Sequence, residues 1–207
     1  MKNYQEKYFD SINNVIYESE FKINNEIVSS DKLFKDLIQF TRVIKKKKGR
    51  IFFFGNGASA AFSNHMALDW SKNGGIQSFS LSDSAMLTAF SNDYNYREAF
   101  LEFLKLYKPT NKDIVVTISS SGNSDNVVQV LNYCKEMKII TLALSGLKPN
   151  NLSCENSYYS IYVPRKTYGI VECSHQIYLH LWLDFFMGVS EWEKNYYQDM
   201  NYKNYKI

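Results

Sequence analysis

The sequence predicts an α/β protein: a three-layer α/β/α sandwich with a central parallel five-stranded sheet and an N-terminal helical arm. Three observations predict it. Short, continuously apolar runs alternate with stretches of helical composition, the pattern of parallel strands covered on both faces. Two of these runs stop at turns rich in glycine or serine that lead straight into a helix. The first fifty residues hold no proline and a single glycine, Gly49, and place apolar residues at spacings of three and four.

In chain order, Phe9, Ile12 and Ile16 mark a first amphipathic helix, and Leu33, Leu37, Phe40 and Ile44 a second. Ser29-Ser30-Asp31 supplies an N-cap for the second, and Gly49 is placed to end it after the run Lys45–Lys48. Ile51–Phe54 is the first strand, closed by Gly55-Asn56-Gly57, with a helix over 59–72 behind it. Further strands are expected at Ile76–Leu81, Asp113–Ile118, Lys138–Leu144 and Tyr158–Val163, with helices near 97–107, 124–137 and 169–188. The 207 residues are expected to form one domain: an arm over 1–48, an α/β core over 50–190 and a tail over 191–207.

Composition narrows the partners. A balance of 24 basic against 21 acidic residues carries no concentrated positive field, so no nucleic-acid partner is expected. The lysine run reads as a helix end whose cations suit the negative pole of the dipole. No apolar stretch approaches the ~20 residues of a membrane span, because the run at 177–189 is broken by His180 and Asp184. Cys134, Cys154 and Cys173 form no CxxC pair, and Met1 leads into polar residues, so a reducing cytoplasm is the expected location.

The chemistry concentrates in Ser119-Ser120-Ser121-Gly122-Asn123-Ser124, between a strand and a helix. Hydroxyls and free N–H groups at a helix N-terminus, with the dipole behind them, suit an anion. The loop carries no lysine and no GxxxxGK[ST] pattern, so a single phosphomonoester is favoured over a nucleotide. The turn Gly55-Asn56-Gly57-Ala58-Ser59 works similarly: glycine lets backbone approach a ligand, and Ser59 is free to cap the next helix or bond a substrate. It lacks the third glycine of a dinucleotide fingerprint.

His65 and Asp69 stand at i, i+4 on one helix face. That spacing serves a surface ion pair, a shared metal or a shared substrate. Glu172 and His180 are separated by about 12 Å of helix rise and roughly 80° of rotation, so they meet at one centre only if their side chains lean together. His175 lies about 140° from His180, so at most one of these two histidines faces a given site.

The run Gly55–Ser59 followed by His65, the segments Leu81-Ser82-Asp83 and Asn92-Asp93-Tyr94-Asn95-Tyr96, the serine loop, and Glu172 with His180 occur in an order that resembles the sugar isomerase (SIS) domain family, most closely its phosphoheptose isomerases. The resemblance spans roughly residues 5–190. It implies an aldose–ketose isomerase that interconverts sedoheptulose 7-phosphate and D-glycero-manno-heptose 7-phosphate for capsule or lipopolysaccharide synthesis. By resemblance, Ser119, Ser121 and Ser124 hold the phosphate, with Ser120 in place of a family threonine. Asn56, Ser59 and Asp93 hold sugar hydroxyls, and His65, Asp69, Glu172 and His180 bind Zn²⁺. Acid/base work falls to Asp69 and His180, joined by Glu172 as a candidate, and the assembly is a homotetramer built through the arm, to which the Tyr-rich tail at 196–205 is suited.

Two departures bear on mechanism. The family usually has glutamate at the position of Asp69 and glutamine at that of Glu172. Enediol chemistry needs a base to move a proton between C1 and C2, and a carboxylate withdrawn by one C–C bond is displaced enough to cost on the order of 10²-fold in rate. A second carboxylate in place of an amide strengthens a zinc site. The pair is therefore compatible with exchanged roles, Glu172 taking the proton and Asp69 holding metal. It is also compatible with a different sugar phosphate as substrate, or with a non-catalytic sugar-phosphate-binding protein.

Overall fold

The computed structural model describes residues 3–190 and Trp192. The elements run α1 (Tyr4–Glu18), β1 (Glu20–Ile23), β2 (Glu26–Val28), α2 (Ser30–Lys46), β3 (Ile51–Gly55), α3 (Ala58–Asp69), a π-helical turn (Trp70–Gly74), β4 (Ser78–Ser80), α4 (Ser84–Asp93), α5 (Ala99–Leu106), β5 (Ile114–Ser119), α6 (Asp125–Glu136), β6 (Ile140–Gly146), α7 (Leu152–Asn156), β7 (Tyr159–Val163) and α8 (Tyr168–Met187). All five expected strands are present and parallel, in the order β4-β3-β5-β6-β7. Among the described residues the sheet nevertheless has seven strands, because the hairpin β1-β2 adds antiparallel to β7.

That hairpin corrects the purely helical arm. Asn24 and Asn25 form its two-residue turn with φ of 50° and 67°, the left-handed pair that a tight hairpin requires and that asparagine tolerates. Phe21 of β1 is buried against Phe34 and Tyr178, which ties the hairpin to the core. Other boundaries shift as well. Lys48, not Gly49, takes the left-handed position after α2; Gly49 is needed because a Cβ there would lie 1.8 Å from the Lys112 carbonyl oxygen. The helix expected over 59–72 gives way after Asp69 to the π turn, and α4 and α7 had no counterpart in the expected elements. The tail at 196–205 lies outside the described residues.

Strand alternation sends Ile51, Phe53, Val116 and Ile118 to one face, packed with α2, α3 and α8, and Phe52, Phe54 and Val115 to the other, packed with α5 and α6. The helices that follow β3 and β5 therefore leave on opposite sides of the sheet. Their strands are neighbours, so a crevice opens between the two carboxyl ends, the topological switch point at which open α/β sheets bind ligands. The glycine turn and the serine loop both lie there. No helix among the described residues is long and apolar enough to cross a membrane.

Candidate active site

The serine loop leaves β5 and closes on itself through the Gly122 N–H, which donates to the Ser119 carbonyl at 2.9 Å. Ser124 takes the N-cap position of α6, yet its side chain makes no capping hydrogen bond. It faces the loop instead: Ser119 Oγ lies 3.1 Å from Ser124 Oγ and 3.5 Å from Ser121 Oγ. Three hydroxyls thus converge over an uncapped helix N-terminus, which is what binding of one phosphoryl group requires. Ser120 is buried and its carbonyl accepts from the Gly146 N–H, which anchors the loop to β6. The same loop is braced from behind by Asn151, whose Oδ1 occupies the space where a Gly122 side chain would stand.

The glycine turn faces this loop. Gly57, with φ +57°, is the N-cap of α3 and caps nothing through a side chain, so Ser59 enters the helix as its second residue with its hydroxyl not spent on capping. Asn56 and Ser59 line a cavity of about 190 Å³ together with Ser119, Ser120, Ser121, Ser124, Tyr168 and Glu172. A second cavity of about 430 Å³ continues from Asn56 and Ser124 past Tyr96 and Arg97. Asp93 is exposed at the end of α4, accepts from the Asn92 amide at 3.1 Å, and lines neither cavity.

The four candidate metal ligands divide. His65 Nε2 lies 3.2 Å from Asp69 Oδ2, and the His65 and His180 rings meet edge to face at 5.2 Å. Ligand atoms of His65, Asp69 and His180 all fall within 4.8 Å of one another, and Glu172 is not part of this group. Two imidazoles and a carboxylate are the donor chemistry of a three-ligand zinc site with an open position, so the residues fit such a metal. Glu172 stands two turns back along α8, on the serine-loop cavity. Between them Gln176 donates to His180 Nε2 at 2.7 Å.

His175, by contrast, belongs to the core. It is fully buried, and its Nε2 lies 3.1 Å from the Ser145 carbonyl, which only accepts, so Nε2 carries the proton of a neutral ring. Burial pushes its pKa down to about 4 from 6.5, and the Ser145 carbonyl opposes that only in part. Between those two values the unfolded chain binds the extra proton and the folded chain does not, so stability is complete above pH 6.5 and falls as pH drops toward 4, by about 3 kcal/mol. Urea unfolding at pH 7 and pH 4.5 is expected to give a lower midpoint at pH 4.5, with the difference reduced in His175→Gln.

Sequence reasoning assigned no role to Asn126 or Tyr168, nor to Tyr96, although Tyr96 lies in the Asn92–Tyr96 segment that carries the family resemblance. Asn126 and Asn56 exchange reciprocal amide hydrogen bonds at 2.9 and 3.0 Å, and the Tyr96 hydroxyl donates to Asn56 Oδ1 at 2.6 Å. These contacts join positions 40 and 70 apart in the chain, and no local pattern encodes them.

Comparison with known proteins identifies the family. The SIS domain family model matches residues 7–146. The phosphoheptose isomerase of Aneurinibacillus thermoaerophilus is 30% identical over 175 residues, covering 79% of this chain and 86% of the relative. Phosphoheptose isomerase 2 of Campylobacter jejuni is 32% identical over 142 residues, covering 66% and 70%. Among solved structures, the phosphoheptose isomerase of Neisseria gonorrhoeae superposes with a TM-score of 0.73 at 21% identity, covering 88% of this chain and 94% of that one, a likeness of fold. With its serine loop at the switch point, the SIS domain model matched over residues 7–146 and relatives named phosphoheptose isomerase, the chain belongs to the SIS-domain sugar isomerase family, as a sugar-phosphate isomerase of the phosphoheptose isomerase type.

Proposed function

We propose that the protein interconverts sedoheptulose 7-phosphate and D-glycero-manno-heptose 7-phosphate through an enediol, for synthesis of a surface polysaccharide. One observation carries this reading: a carboxylate, Glu172, shares a single cavity with the three converging serine hydroxyls and with Asn56 and Ser59. Two relatives named phosphoheptose isomerase support the choice of a heptose.

In this reading the hydroxyls of Ser119, Ser121 and Ser124 and the first N–H groups of α6 hold the phosphate, and Ser120 anchors the loop. The phosphate fixes one end of the open-chain sugar and brings its C1–C2 unit toward Glu172. Glu172 removes a proton from C1 of the ketose and returns it to C2, while a proton passes from O1 to O2. The product is the aldose, with no net change in oxidation level. The Ser59 hydroxyl, which both donates and accepts, serves that oxygen-to-oxygen transfer, and Asn56 donates to the oxygen that gains charge. Asp93, which lines neither cavity, is given no part.

His65, Asp69 and His180 would hold Zn²⁺. Bound there, the ion would supply Lewis-acid polarisation to an oxygen brought within its reach. Asp69 thereby serves as a ligand and Glu172 as the base, an exchange of the roles that the family pattern implies.

We further read the chain as one cytoplasmic domain that assembles as a homotetramer. Three free cysteines, one of them exposed, suit a reducing compartment. Ile177, Leu181 and Phe185 form an exposed apolar line along α8 beside His180, and Leu68 lies exposed next to Asp69, a surface suited to cover by another subunit.

The test is turnover. Purified protein supplied with zinc and sedoheptulose 7-phosphate, followed by NMR, is expected to form the aldose, and chelation is expected to lower the rate until zinc is restored. Turnover of a pentose or hexose ketose phosphate with none of the heptose would remove the substrate assignment. Binding without turnover of any sugar phosphate would favour a sensor.

A further inference from the structure

We infer that Tyr96 and Asn126 are positioning residues, which lock the Asn56 amide so that it offers the bound sugar phosphate one N–H donor and no acceptor; the inference rests on the sugar-phosphate reading of the cavity. An asparagine side chain has two acceptor lone pairs and two N–H donors. Both lone pairs of Asn56 Oδ1 are occupied, one by the Tyr96 hydroxyl at 2.6 Å and one by Asn126 Nδ2 at 3.0 Å. One of its two N–H donors is spent on Asn126 Oδ1 at 2.9 Å. A single N–H remains. Asn56 lines both the serine-loop cavity and its continuation.

The lock has a firm base. Asn126 is 3% exposed in the first turn of α6, immediately after the serine loop, so the amide pair also ties the glycine turn to the phosphate-binding helix. Tyr96 is presented by a turn in which Asn95 adopts φ 103°, a left-handed value that disfavours any residue but glycine. Asn95 is kept there by its side chain, which accepts from the Glu98 N–H at 3.2 Å. Strain of this kind persists where the surrounding structure over-determines it and clusters at ligand sites. Here it places the hydroxyl that fills the last lone pair of Asn56.

The consequence is a contact of fixed polarity. A donor that cannot turn into an acceptor favours a carbonyl oxygen, or the oxyanion formed from it, over a hydroxyl that must donate. Releasing Tyr96 frees one lone pair and leaves the amide held by Asn126 alone, which loosens its orientation and should act on turnover more than on substrate affinity.

A double-mutant cycle tests this with kcat and KM for sedoheptulose 7-phosphate in the zinc-supplied full-length protein. Tyr96→Phe is expected to lower kcat about tenfold with KM little changed, and to lower it less than about twofold when introduced into Asn56→Ala, because the residue acts through Asn56. Tyr96 is half-exposed, so the Phe variant is expected to keep the wild-type thermal midpoint. Equal losses in the two backgrounds, or a loss confined to KM, would overturn the positioning role while leaving the isomerase reading intact. A wild-type protein with no turnover would overturn the isomerase reading and the role of Asn56 with it.

Discussion

Glu172→Gln is expected to lower kcat by about 10³-fold while leaving the dissociation constant for the sugar phosphate within about twofold of wild type. The substitution keeps size and shape and removes the negative charge together with the ability to take up a proton. Its surroundings predict the separation of effects: Glu172 shares the cavity with the serine hydroxyls, so catalysis loses its base while the phosphate keeps every donor. Calorimetric titration beside steady-state kinetics reads both quantities. The variant has the glutamine usual in the family at position 172, but Asp69 is still one C–C bond short of the family's glutamate. Adding Asp69→Glu to Glu172→Gln restores the family pairing, and part of the lost rate is expected to return. If the double variant stayed as inactive as Glu172→Gln, exchange of roles between the two carboxylates would be the wrong explanation.

Gly122→Ala is expected to destabilise the fold by about 3 kcal/mol and to weaken sugar-phosphate binding by on the order of tenfold or more. Two causes act together. Gly122 has φ +66°, and a Cβ there would stand 2.1 Å from Asn151 Oδ1. Asn151 cannot yield cheaply: it is 1% exposed, its Oδ1 accepts from the Cys154 N–H, and its Nδ2 donates to Ser145 Oγ and the Lys148 carbonyl. The Gly122 carbonyl further accepts from the Ser153 N–H, and Asn123 Oδ1 from the Leu152 N–H. Any relief must therefore move the serine loop, and with it Ser121 and Ser124. Urea unfolding measures the first effect and titration the second; wild-type values of both would mean that the Asn151 brace is not rigid.

Much of this architecture could be read locally. Continuous apolar strands and the turns that end them located all five parallel strands, because strand burial and turn chemistry are properties of neighbouring residues. The serine loop was legible for the same reason, and helical rotation separated His175 from His180, which lie in the core and in the histidine–carboxylate group respectively. The hairpin escaped because its strands are four and three residues long, too short for alternation to stand out, although Asn24-Asn25 marks its turn. Spacing along α8 could not say that Glu172 would face the serines and not the histidines, since that depends on how α8 lies across β6 and α3. The Asn56 clasp and the Asn151 brace likewise join segments that only the folded sheet brings together.

In the proposed mechanism Glu172 carries the proton between C1 and C2. Deuterium incorporation at C2 during turnover of sedoheptulose 7-phosphate in D₂O tests it most directly, with wild type and Glu172→Gln compared at equal zinc content. Label is expected at C2 with the wild type, and none above background with Glu172→Gln although that variant still binds the sugar phosphate. Wild-type rates of label incorporation by Glu172→Gln would contradict it.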